Sequence, residues 1–390
     1  MNDVQVISLG CRLNLAESVH IRSMLAGEDV VVVNSCAVTA EAVRQTRQAI
    51  RRARRERPDA RLLVTGCAAE VERASLSQMP EVDGLVANAT KLDARAWNVA
   101  ERPAAPSVTH TRAFIAVQNG CDHACTFCVI PQGRGPSRSL SVAQVLREVE
   151  RHLEHGAAEV VLTGVDVTSW GHDLPDAPRL GQLVHTVLDA FPRLLRLRLS
   201  SVDGVEIDPL LFDLLAHEPR VMPHLHLSMQ HGHDLVLKRM KRRHSRSQAV
   251  ELVQRLKALR PDVAVGADLI AGFPTESAEH HAANRSIIAE LEIVHLHVFP
   301  YSPRPGTPAA RMPQVDKATI KARAADLRAD AVAIRDNWLQ SLVGKPLEVL
   351  TEGDGHGYAP QFARIALPAG SRRGDIVTVT PTTASQGLLQ

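Results

Sequence analysis

Cys121-Asp122-His123-Ala124-Cys125-Thr126-Phe127-Cys128 is the stretch that best predicts the fold and the chemistry of this 390-residue chain. Its three cysteines fit on one short loop and can converge on a single metal centre, and thiolate ligands select zinc or iron–sulfur clusters. A structural zinc ion takes four protein ligands, yet no fourth cysteine or obvious histidine follows Cys128, and His123 lies inside the loop. A [4Fe–4S] cluster has four irons, so three cysteines would leave one iron free to bind another molecule.

The composition is that of a soluble globular protein, with 45% hydrophobic and 23% charged residues. No apolar run approaches the roughly 18 residues of a membrane span, and the N-terminus has no signal-peptide pattern, so we expect a cytoplasmic protein without a membrane partner. The net charge is only +2, so any affinity for nucleic acid must come from local basic patches. Aromatic residues make up only 3%, which argues against broad base-stacking surfaces.

The other three of the six cysteines, Cys11, Cys36 and Cys67, lie far apart in the sequence. Residues 1–100 alternate between strand-like and helical stretches, which predicts a doubly wound α/β domain with a parallel sheet. Each of these cysteines follows a predicted strand, and the carboxyl ends of parallel strands meet at one edge, where ligands bind. The pattern predicts a second three-cysteine cluster site, again with an open iron. The alternative is three unrelated cysteines used as small core residues.

The rest of the chain divides into three further segments. Residues 101–111 are rich in Pro, Ala and hydroxyl residues and predict a linker. Six strand–helix units between 112 and 338 predict a (β/α)₆ partial barrel, with the Cys121 loop after its first strand, at the face where barrel active sites lie. Residues 344–390 predict a small β module with Gly/Pro-rich turns, whose last ten residues we expect to be frayed.

Two clusters of basic residues are candidates for phosphate contacts. The first is a face of the helix predicted at Ala40–Arg57, and the second is the run Lys238–Arg246. Either could instead be a solvated surface, but few acidic residues are interleaved in the first, and the second is dense, so both favour nucleic-acid binding. The residues we single out are Arg44, Arg47, Arg51, Arg54, Lys241, Arg242 and Arg243.

Motifs along nearly the whole chain resemble those of the radical S-adenosylmethionine (SAM) methylthiotransferases. Within that family the sequence is most similar to the enzymes that act on N6-threonylcarbamoyladenosine next to the tRNA anticodon (adenosine 37). The motifs, besides the Cys121 loop, are Leu9-Gly10-Cys11-Arg12-Leu13-Asn14, Val33-Asn34-Ser35-Cys36, Val64-Thr65-Gly66-Cys67, Leu162-Thr163-Gly164-Val165-Asp166 and His224-Leu225-His226-Leu227-Ser228-Met229-Gln230.

The resemblance implies two [4Fe–4S] clusters and SAM as cofactors. Cys121, Cys125 and Cys128 would hold the cluster that binds SAM and cleaves it to a 5′-deoxyadenosyl radical, and Cys11, Cys36 and Cys67 would hold an auxiliary cluster that handles sulfur. The implied reaction combines methyl transfer with radical insertion of a methylthio group into a C–H bond. The implied partners are tRNA, an electron donor of the flavodoxin or ferredoxin type and a sulfur source, and we expect a monomer.

Polar residues and glycine at several strand ends are candidates for SAM contacts because these ends share the face of the barrel that carries the Cys121 loop. The candidates are Phe127, Thr163, Gly164, Asp166, Ser200 and Gln230. The sequence departs from the family at three points: Gln132 replaces an aromatic residue, Asp203-Gly204 replaces Glu-Pro, and the terminal β module is shorter than the RNA-binding TRAM barrel.

Three alternatives to this substrate and function remain open on the sequence. One is methylthiolation of isopentenyladenosine in tRNA, and another is the same chemistry on a ribosomal protein side chain. The third is a structural metal-binding protein without catalytic activity. Because cleavage of SAM on reduction requires the Cys121 cluster, that assay separates the third alternative from the first two.

Overall fold

The N-terminal part of the protein is a four-stranded parallel sheet, described here, with the rest of residues 4–100 and 111–390, from a computed structural model. The strands pair in the order of the sequence. Val30 and Val32 pack with Ile21 on one face of the sheet, whereas Val31 and Val33 pack on the other face. The elements are β1 (Gln5–Ser8), α1 (Arg12–Met24), β2 (Val30–Ser35), α2 (Ala40–Glu56), β3 (Arg61–Gly66), α3 (Cys67–Val71), α4 (Arg73–Ser77) and β4 (Gly84–Leu85).

The predicted linker at 101–111 lies outside the described residues except for Thr111. The central part follows, and its strands and helices alternate as predicted. Its elements are β5 (Arg112–Ala116), β6 (Gln118–Asn119), α5 (Ile130–Arg134), β7 (Arg138–Ser139), α6 (Val142–Glu154), β8 (Glu159–Thr163), α7 (Leu180–Ala190), β9 (Leu197–Leu199), α8 (Pro209–His217), β10 (His224–Gln230), α9 (Asp234–Arg239), α10 (Arg246–Leu259), β11 (Ala264–Ala271), α11 (Ala278–Glu290), β12 (Ile293–Pro300) and α12 (Lys317–Leu342).

The wall of the partial barrel consists of two three-stranded parallel sheets, β5-β8-β9 and β10-β11-β12. The halves meet through parallel bridges, one of which pairs Val202 with Leu227. The Val202 N–H donates to the carbonyl of His226 at 2.9 Å across this junction. All six long strands therefore run in the same direction around one wall, and the predicted fold class, an α/β domain followed by a (β/α)₆ partial barrel and a β module, is confirmed.

The helix α12, which the sequence analysis did not identify, is 26 residues long. Its N-terminus is capped by the Asp316 carboxylate, which accepts from the Thr319 N–H at 2.9 Å. Ile320, Ala324 and Leu327 are buried beside the outer strand β12 and helix α11. The helices of the described residues include none with the length and apolar character needed to cross a membrane.

The C-terminal module is a six-stranded sheet with the order β16-β13-β14-β15-β18-β17. The frayed end that we predicted is wrong: Leu389 is fully buried, and Gln390 exchanges backbone hydrogen bonds with Thr383. The module docks on the barrel, where Arg198 donates to the Pro360 carbonyl at 3.1 Å. The strands are β13 (Leu347–Thr351), β14 (His356–Tyr358), β15 (Arg364–Ala366), β16 (Ile376–Val379), β17 (Ala384–Ser385) and β18 (Leu388–Leu389).

Candidate active site

A cavity of about 790 Å³ is lined by the carboxyl edge of the N-terminal sheet and by the carboxyl-terminal face of the barrel. A cavity of this size is within the range of small-molecule and cofactor sites. Both sets of cysteines reach it, although they come from different parts of the chain. The thiols that line it are Cys11, Cys36, Cys67, Cys121, Cys125 and Cys128.

The strand-end triad, Cys11, Cys36 and Cys67, is positioned by the parallel sheet. Cys36 and Cys67 directly follow the last residues of β2 and β3, and Cys11 comes three residues after β1. Because all three strands are parallel, these positions meet at one edge. Cys36 and Cys67 are each only 7% exposed, whereas Cys11 is exposed.

The loop triad, Cys121, Cys125 and Cys128, lies between β6 and α5 and is half-buried. The base of the loop is closed by the short pairing of β6 with β7. Its middle is fixed to the end of α9, where the Thr126 N–H donates to the Met240 carbonyl at 3.1 Å and the Thr126 hydroxyl to the Arg239 carbonyl at 2.8 Å. The loop thus has few ways to move its thiols apart.

The spacing of the thiols distinguishes a single zinc ion from a cluster. Zinc with sulfur ligands at about 2.3 Å in a tetrahedron brings those sulfurs within about 4 Å of one another. Among the described residues, three groups of side chains have all their potential ligand atoms within 4.8 Å of one another, and neither cysteine triad is among them. The donor set therefore fits the corners of a [4Fe–4S] cluster better than a mononuclear zinc site.

Burial favours the protonated form of three of these thiols. Burial raises the pKa of Cys36 to about 11 and the pKa values of Cys121 and Cys128 to about 12. Since thiolate is the metal-binding form, a metal centre here displaces protons when it binds. Donors toward sulfur are already in place: the Ile130 N–H lies 3.4 Å from the Cys128 sulfur.

His123, inside the loop, is engaged by carboxylates and is not a free metal ligand. Its Nε2 lies 2.5 Å from an Asp166 oxygen. The neighbouring carboxylates of Asp166 and Glu206 raise the pKa of His123 to about 10. The ring is therefore an imidazolium at neutral pH, and it ties the cluster loop to the end of β8.

The two triads are joined by direct packing between the domains. Gly133, just beyond the loop, lies so close to Cys67 that a Cβ added to it would sit 3.1 Å from the Cys67 Cβ. The Asn88 side chain donates to the Gly133 carbonyl at 2.5 Å. A larger residue at 133 would therefore push the loop region away from Cys67.

A buried charge network lies beside this contact. The Glu17 carboxylate accepts from Arg134 at 2.8 Å and from Lys91 at 2.5 Å, and all three side chains are at most 2% exposed. Burial alone would raise the pKa of Glu17, but the two cations hold it below its ordinary value. The network, which sequence reasoning missed, fixes the N-terminal domain against the barrel.

The predicted SAM contacts all lie on the cavity wall. They are Phe127, Thr163, Gly164, Asp166, Ser200 and Gln230. Gln118, a residue missed by the sequence analysis, supports them: its side-chain oxygen accepts from the N–H groups of Val165 and Asp166 at 3.0 and 2.9 Å. The same oxygen would lie 2.8 Å from a Cβ at Gly164, so this close approach requires glycine.

The predicted nucleic-acid contacts divide into exposed and inward-facing groups. Arg44 and Arg51 are exposed and line a groove of about 370 Å³ along α2. Arg47 also lines this groove, but it is half-buried and donates to Glu72 and Ser75. Arg54 is turned into its own domain, where it donates to the carbonyls of Glu81 and Ala60 and to the Asp83 carboxylate. Its donors are used within the fold, so the structure does not support a phosphate contact there.

The second basic run is also partly turned inward. The Arg242 side chain is 8% exposed and donates to Asp203 at 2.9 Å, and it also lies 3.7 Å from the Cys125 sulfur. Arg243 pairs with Asp203 and Glu206. Of the three residues singled out in this run, Lys241 is the exposed one without such a pair among the described residues. Asp203, one of the departures from the family pattern, thus explains why Arg242 lies at the cavity.

Two family models match separate parts of the chain. The model described as the radical SAM superfamily matches residues 115–285. A second model, described as uncharacterized protein family UPF0004, matches residues 3–87. The two matches coincide with the parts of the chain that carry the loop triad and the strand-end triad.

A solved structure and several curated proteins are similar to the chain. The structure of the radical SAM methyltransferase TsrM from Kitasatospora setae, with cobalamin and a [4Fe–4S] cluster bound, matches with a TM-score of 0.55 over 76% of this chain and 68% of that one; at 17% identity this shows the fold alone. The threonylcarbamoyladenosine tRNA methylthiotransferase MtaB of Rickettsia prowazekii is 44% identical over 93% of this chain and 91% of that protein.

More distant relatives include the MtaB protein of Bacillus subtilis, 31% identical over 90% of this chain and 85% of that one. The tRNA-2-methylthio-N(6)-dimethylallyladenosine synthase of Chloroflexus aurantiacus is 32% identical over 90% of this chain and 82% of that one. Given these near full-length matches and the two cysteine triads on one cavity, the chain belongs to the radical SAM tRNA methylthiotransferase family.

Proposed function

We propose that the enzyme converts N6-threonylcarbamoyladenosine next to the tRNA anticodon to its 2-methylthio derivative. The observation that carries this proposal is the presence of both cysteine triads on one cavity. A substrate bound there is within reach of a site for radical formation and a site for sulfur at the same time, as insertion of a methylthio group requires.

The choice of modified adenosine rests on the relatives. The Rickettsia protein named for threonylcarbamoyladenosine is 44% identical to this chain, whereas the Chloroflexus protein named for dimethylallyladenosine is 32% identical. Similarity is thus greater to the first of these two relatives. Isopentenylated tRNA and a ribosomal protein are the competing substrates that an assay has to exclude.

Membership of the radical SAM family implies SAM and one [4Fe–4S] cluster as cofactors. Cys121, Cys125 and Cys128 would hold that cluster, which supplies the radical chemistry when SAM is bound. Thr163, Gly164, Asp166, Ser200, Gln230 and Phe127 would orient SAM along the cavity wall. We further propose a second [4Fe–4S] cluster on Cys11, Cys36 and Cys67, of which Cys36 and Cys67 are buried at the sheet edge.

The tRNA would lie against the N-terminal domain through the arginines of the α2 groove, of which Arg44 and Arg51 are exposed. Arg44, Arg47 and Arg51 share one groove and can neutralise backbone phosphates. An electron donor of the flavodoxin or ferredoxin type and a sulfur source complete the set of proposed partners. We propose that the enzyme works as a monomer in the cytoplasm.

The test supplies purified, reconstituted enzyme with SAM, reductant and sulfide. Three otherwise identical tRNAs are compared, carrying threonylcarbamoyladenosine, dimethylallyladenosine or unmodified adenosine. We expect methylthio product, measured by mass spectrometry of nucleosides, with the first tRNA only. Product on the dimethylallyl tRNA, or on a ribosomal protein with none on tRNA, contradicts the proposed substrate and leaves the family assignment intact.

A further inference from the structure

Arg12 is the first residue of α1 and directly follows Cys11 of the strand-end triad. Its side chain is half-buried and lines the cavity that the six thiols share. The position is notable because a long cation here points toward the space where the substrate of the proposed reaction has to lie.

Within the described residues, Arg12 makes no ion pair and its side chain makes no hydrogen bond. The other charged groups on the cavity wall have partners: Asp166 pairs with His123, and Asp203 with Arg242. Asp268 accepts from His226 and His297 at 3.0 Å each, and Arg134 pairs with Glu17. Arg12 therefore contributes an uncompensated positive charge to the cavity.

The neighbours of Arg12 increase this positive character. Arg112 and Arg198 contact the same Phe362 ring as Arg12, with their Cζ atoms 5.1 and 4.6 Å from its centre. Both of them use the same carboxylate, that of the buried Glu159, at 3.1 and 2.9 Å. Glu159 is thus already shared, and an anion from outside the protein would be stabilised next to Arg12.

The aromatic surroundings position the guanidinium and leave its edge free. The Arg12 Cζ lies 5.3 Å from the centre of the Phe362 ring and 5.9 Å from that of Phe114. Phe362 has a φ of +70°, which is rare for a bulky residue, so the C-terminal module must hold it in place. A guanidinium that is stacked on a ring keeps its N–H donors available for a planar, bidentate acceptor such as a carboxylate.

We infer that Arg12 determines substrate specificity by binding the carboxylate of the threonylcarbamoyl group. The inference rests on the proposed function and identifies the part of the substrate that this cavity selects. N6-threonylcarbamoyladenosine carries a free carboxylate, whereas the dimethylallyl group is apolar and uncharged. A buried cation without a partner disfavours an apolar ligand because the charge then loses its water without gaining a hydrogen bond.

The first test uses the wild-type enzyme alone. Its kcat/KM for methylthiolation is compared between tRNA carrying the threonylcarbamoyl group and the same tRNA with that carboxylate converted to its methyl ester. We expect the ester to be poorer by about 10- to 100-fold, the range for a hydrogen bond to a charged group. Equal use of acid and ester overturns the role of Arg12 while the proposed function stands; absence of product on the acid refutes the proposed function itself.

The second test assigns the discrimination to Arg12. In Arg12→Gln the acid should lose nearly all of its advantage over the ester, mainly through a higher KM, and Arg12→Lys should keep part of it. Arg22→Gln, which changes the same residue type in the last turn of the same helix, is the matched control and should discriminate like wild type. An unchanged acid-to-ester ratio in Arg12→Gln overturns the inference.

The carboxylate of SAM is the other possible partner of Arg12, and a tRNA-free assay separates the two. If Arg12 binds the threonyl carboxylate, Arg12→Gln should form 5′-deoxyadenosine from SAM without tRNA at the wild-type rate and with the wild-type KM for SAM. The iron content of the variant should also match wild type. A raised KM for SAM assigns Arg12 to the cofactor and overturns the inference.

Discussion

The two cysteine triads line one cavity, but one comes from a short local motif and the other from positions far apart in the sequence. The loop triad is encoded by eight consecutive residues, and its geometry depends on one loop that Thr126 fixes to α9. The strand-end triad is assembled from positions up to 56 residues apart, and its geometry depends on the register of three parallel strands. The loop triad therefore depends on one loop and its contact with α9, whereas the strand-end triad forms only after three strands have paired.

The two triads should also differ in their sensitivity to mutation. The loop thiols are half-buried, whereas Cys36 and Cys67 are packed at the ends of buried strands. Packed interiors tolerate small volume changes poorly, so the strand-end triad should be the more sensitive to mutations in its surroundings. The loop triad should be the more sensitive to loss of one of its own thiols, since SAM binding depends on it directly.

The largest effect is expected from single cysteine substitutions. Cys125→Ala should abolish reductive SAM cleavage, because two thiolates are too few to hold a cluster with one open iron. Cys36→Ala should retain some 5′-deoxyadenosine formation and lose methylthio product, because its triad lies in the other domain. Both products are measured by mass spectrometry, with folding checked by circular dichroism. Equal loss of both activities in the two variants would contradict this division of labour.

The iron content gives the second test of the comparison. Reconstituted wild-type protein should hold roughly eight iron atoms per chain, from four for each cubane. The Cys11/Cys36/Cys67→Ala triple variant should fall to about four and keep the cluster of the loop triad. Iron and acid-labile sulfide are measured on anaerobically purified protein. About four irons in wild type, unchanged in the triple variant, would show that the strand-end triad holds no cluster.

The third test concerns the buried network of Glu17, Arg134 and Lys91, which lies beside the contact between the triads. Glu17→Gln leaves Arg134 and Lys91 buried without their carboxylate, and breaking a buried ion pair from one side costs about 3–5 kcal/mol. Glu56→Gln removes a surface pair with Arg52 and should cost at most about 1 kcal/mol. Denaturant unfolding of the two variants measures the difference, and similar losses would show that the buried network contributes little.

The difference in stability between wild type and Glu17→Gln should depend on pH in a defined direction. The folded-state pKa of Glu17 lies below its ordinary value, so its stabilisation is present above the unfolded pKa of about 4.3 and is lost as the pH falls through the folded value. The stability gap between wild type and Glu17→Gln should therefore be constant near neutral pH and narrow in acid. A gap that widens in acid would contradict the assignment of Glu17 as a buried anion.

The sequence predicted those features that follow from local patterns. The spacing of the loop triad, and the position of each remaining cysteine after a valine- or leucine-rich strand, were enough to predict two triads but not that both line one cavity. Helix α12 was missed because alanine and charged residues alternate along it without a broad apolar stripe. The paired C-terminal end was missed because its partner strands contribute only two residues each.

Contacts between residues distant in the chain set the limit of sequence reasoning. Arg54 and Arg242 belong to basic runs that look uniform in sequence, and only their partners, Asp83 and Asp203, turn them inward. Gln118 gave no local signal, and Arg12 entered only as part of the Cys11 motif, because the residues that each contacts lie far away in the sequence. Side-chain partners of this kind are determined by tertiary packing, which periodicity does not reveal.

The smallest effect is expected from charge reversal on the surface. The basic residues of α2 and those near the loop triad differ in how exposed they are. Arg44 and Arg51 of α2 are exposed, in side-chain terms 68% and 55%, and their ion pairs are of the weak surface type. Arg242 and Arg243, near the loop triad, are instead held by buried carboxylates. Phosphate contacts should therefore come from the domain of the strand-end triad.

Reversing Arg44 and Arg51 together to Glu should weaken tRNA binding and flatten its salt dependence. Each lost phosphate contact makes the slope of log K against log salt shallower by about 0.9 in duplex regions and about 0.7 in single strands, so the loss of two contacts should change it by about 1.4 to 1.8. Reversing Arg52 and Arg55 together to Glu, on the same helix but outside the groove, changes the net charge by the same amount and should shift the slope by less than one contact. SAM cleavage without tRNA should be unaffected in both variants, because α2 does not contribute these side chains to the cavity. An equal slope for wild type and the double variant would show that α2 does not contact the tRNA phosphates and would make Lys241 in the barrel the next candidate.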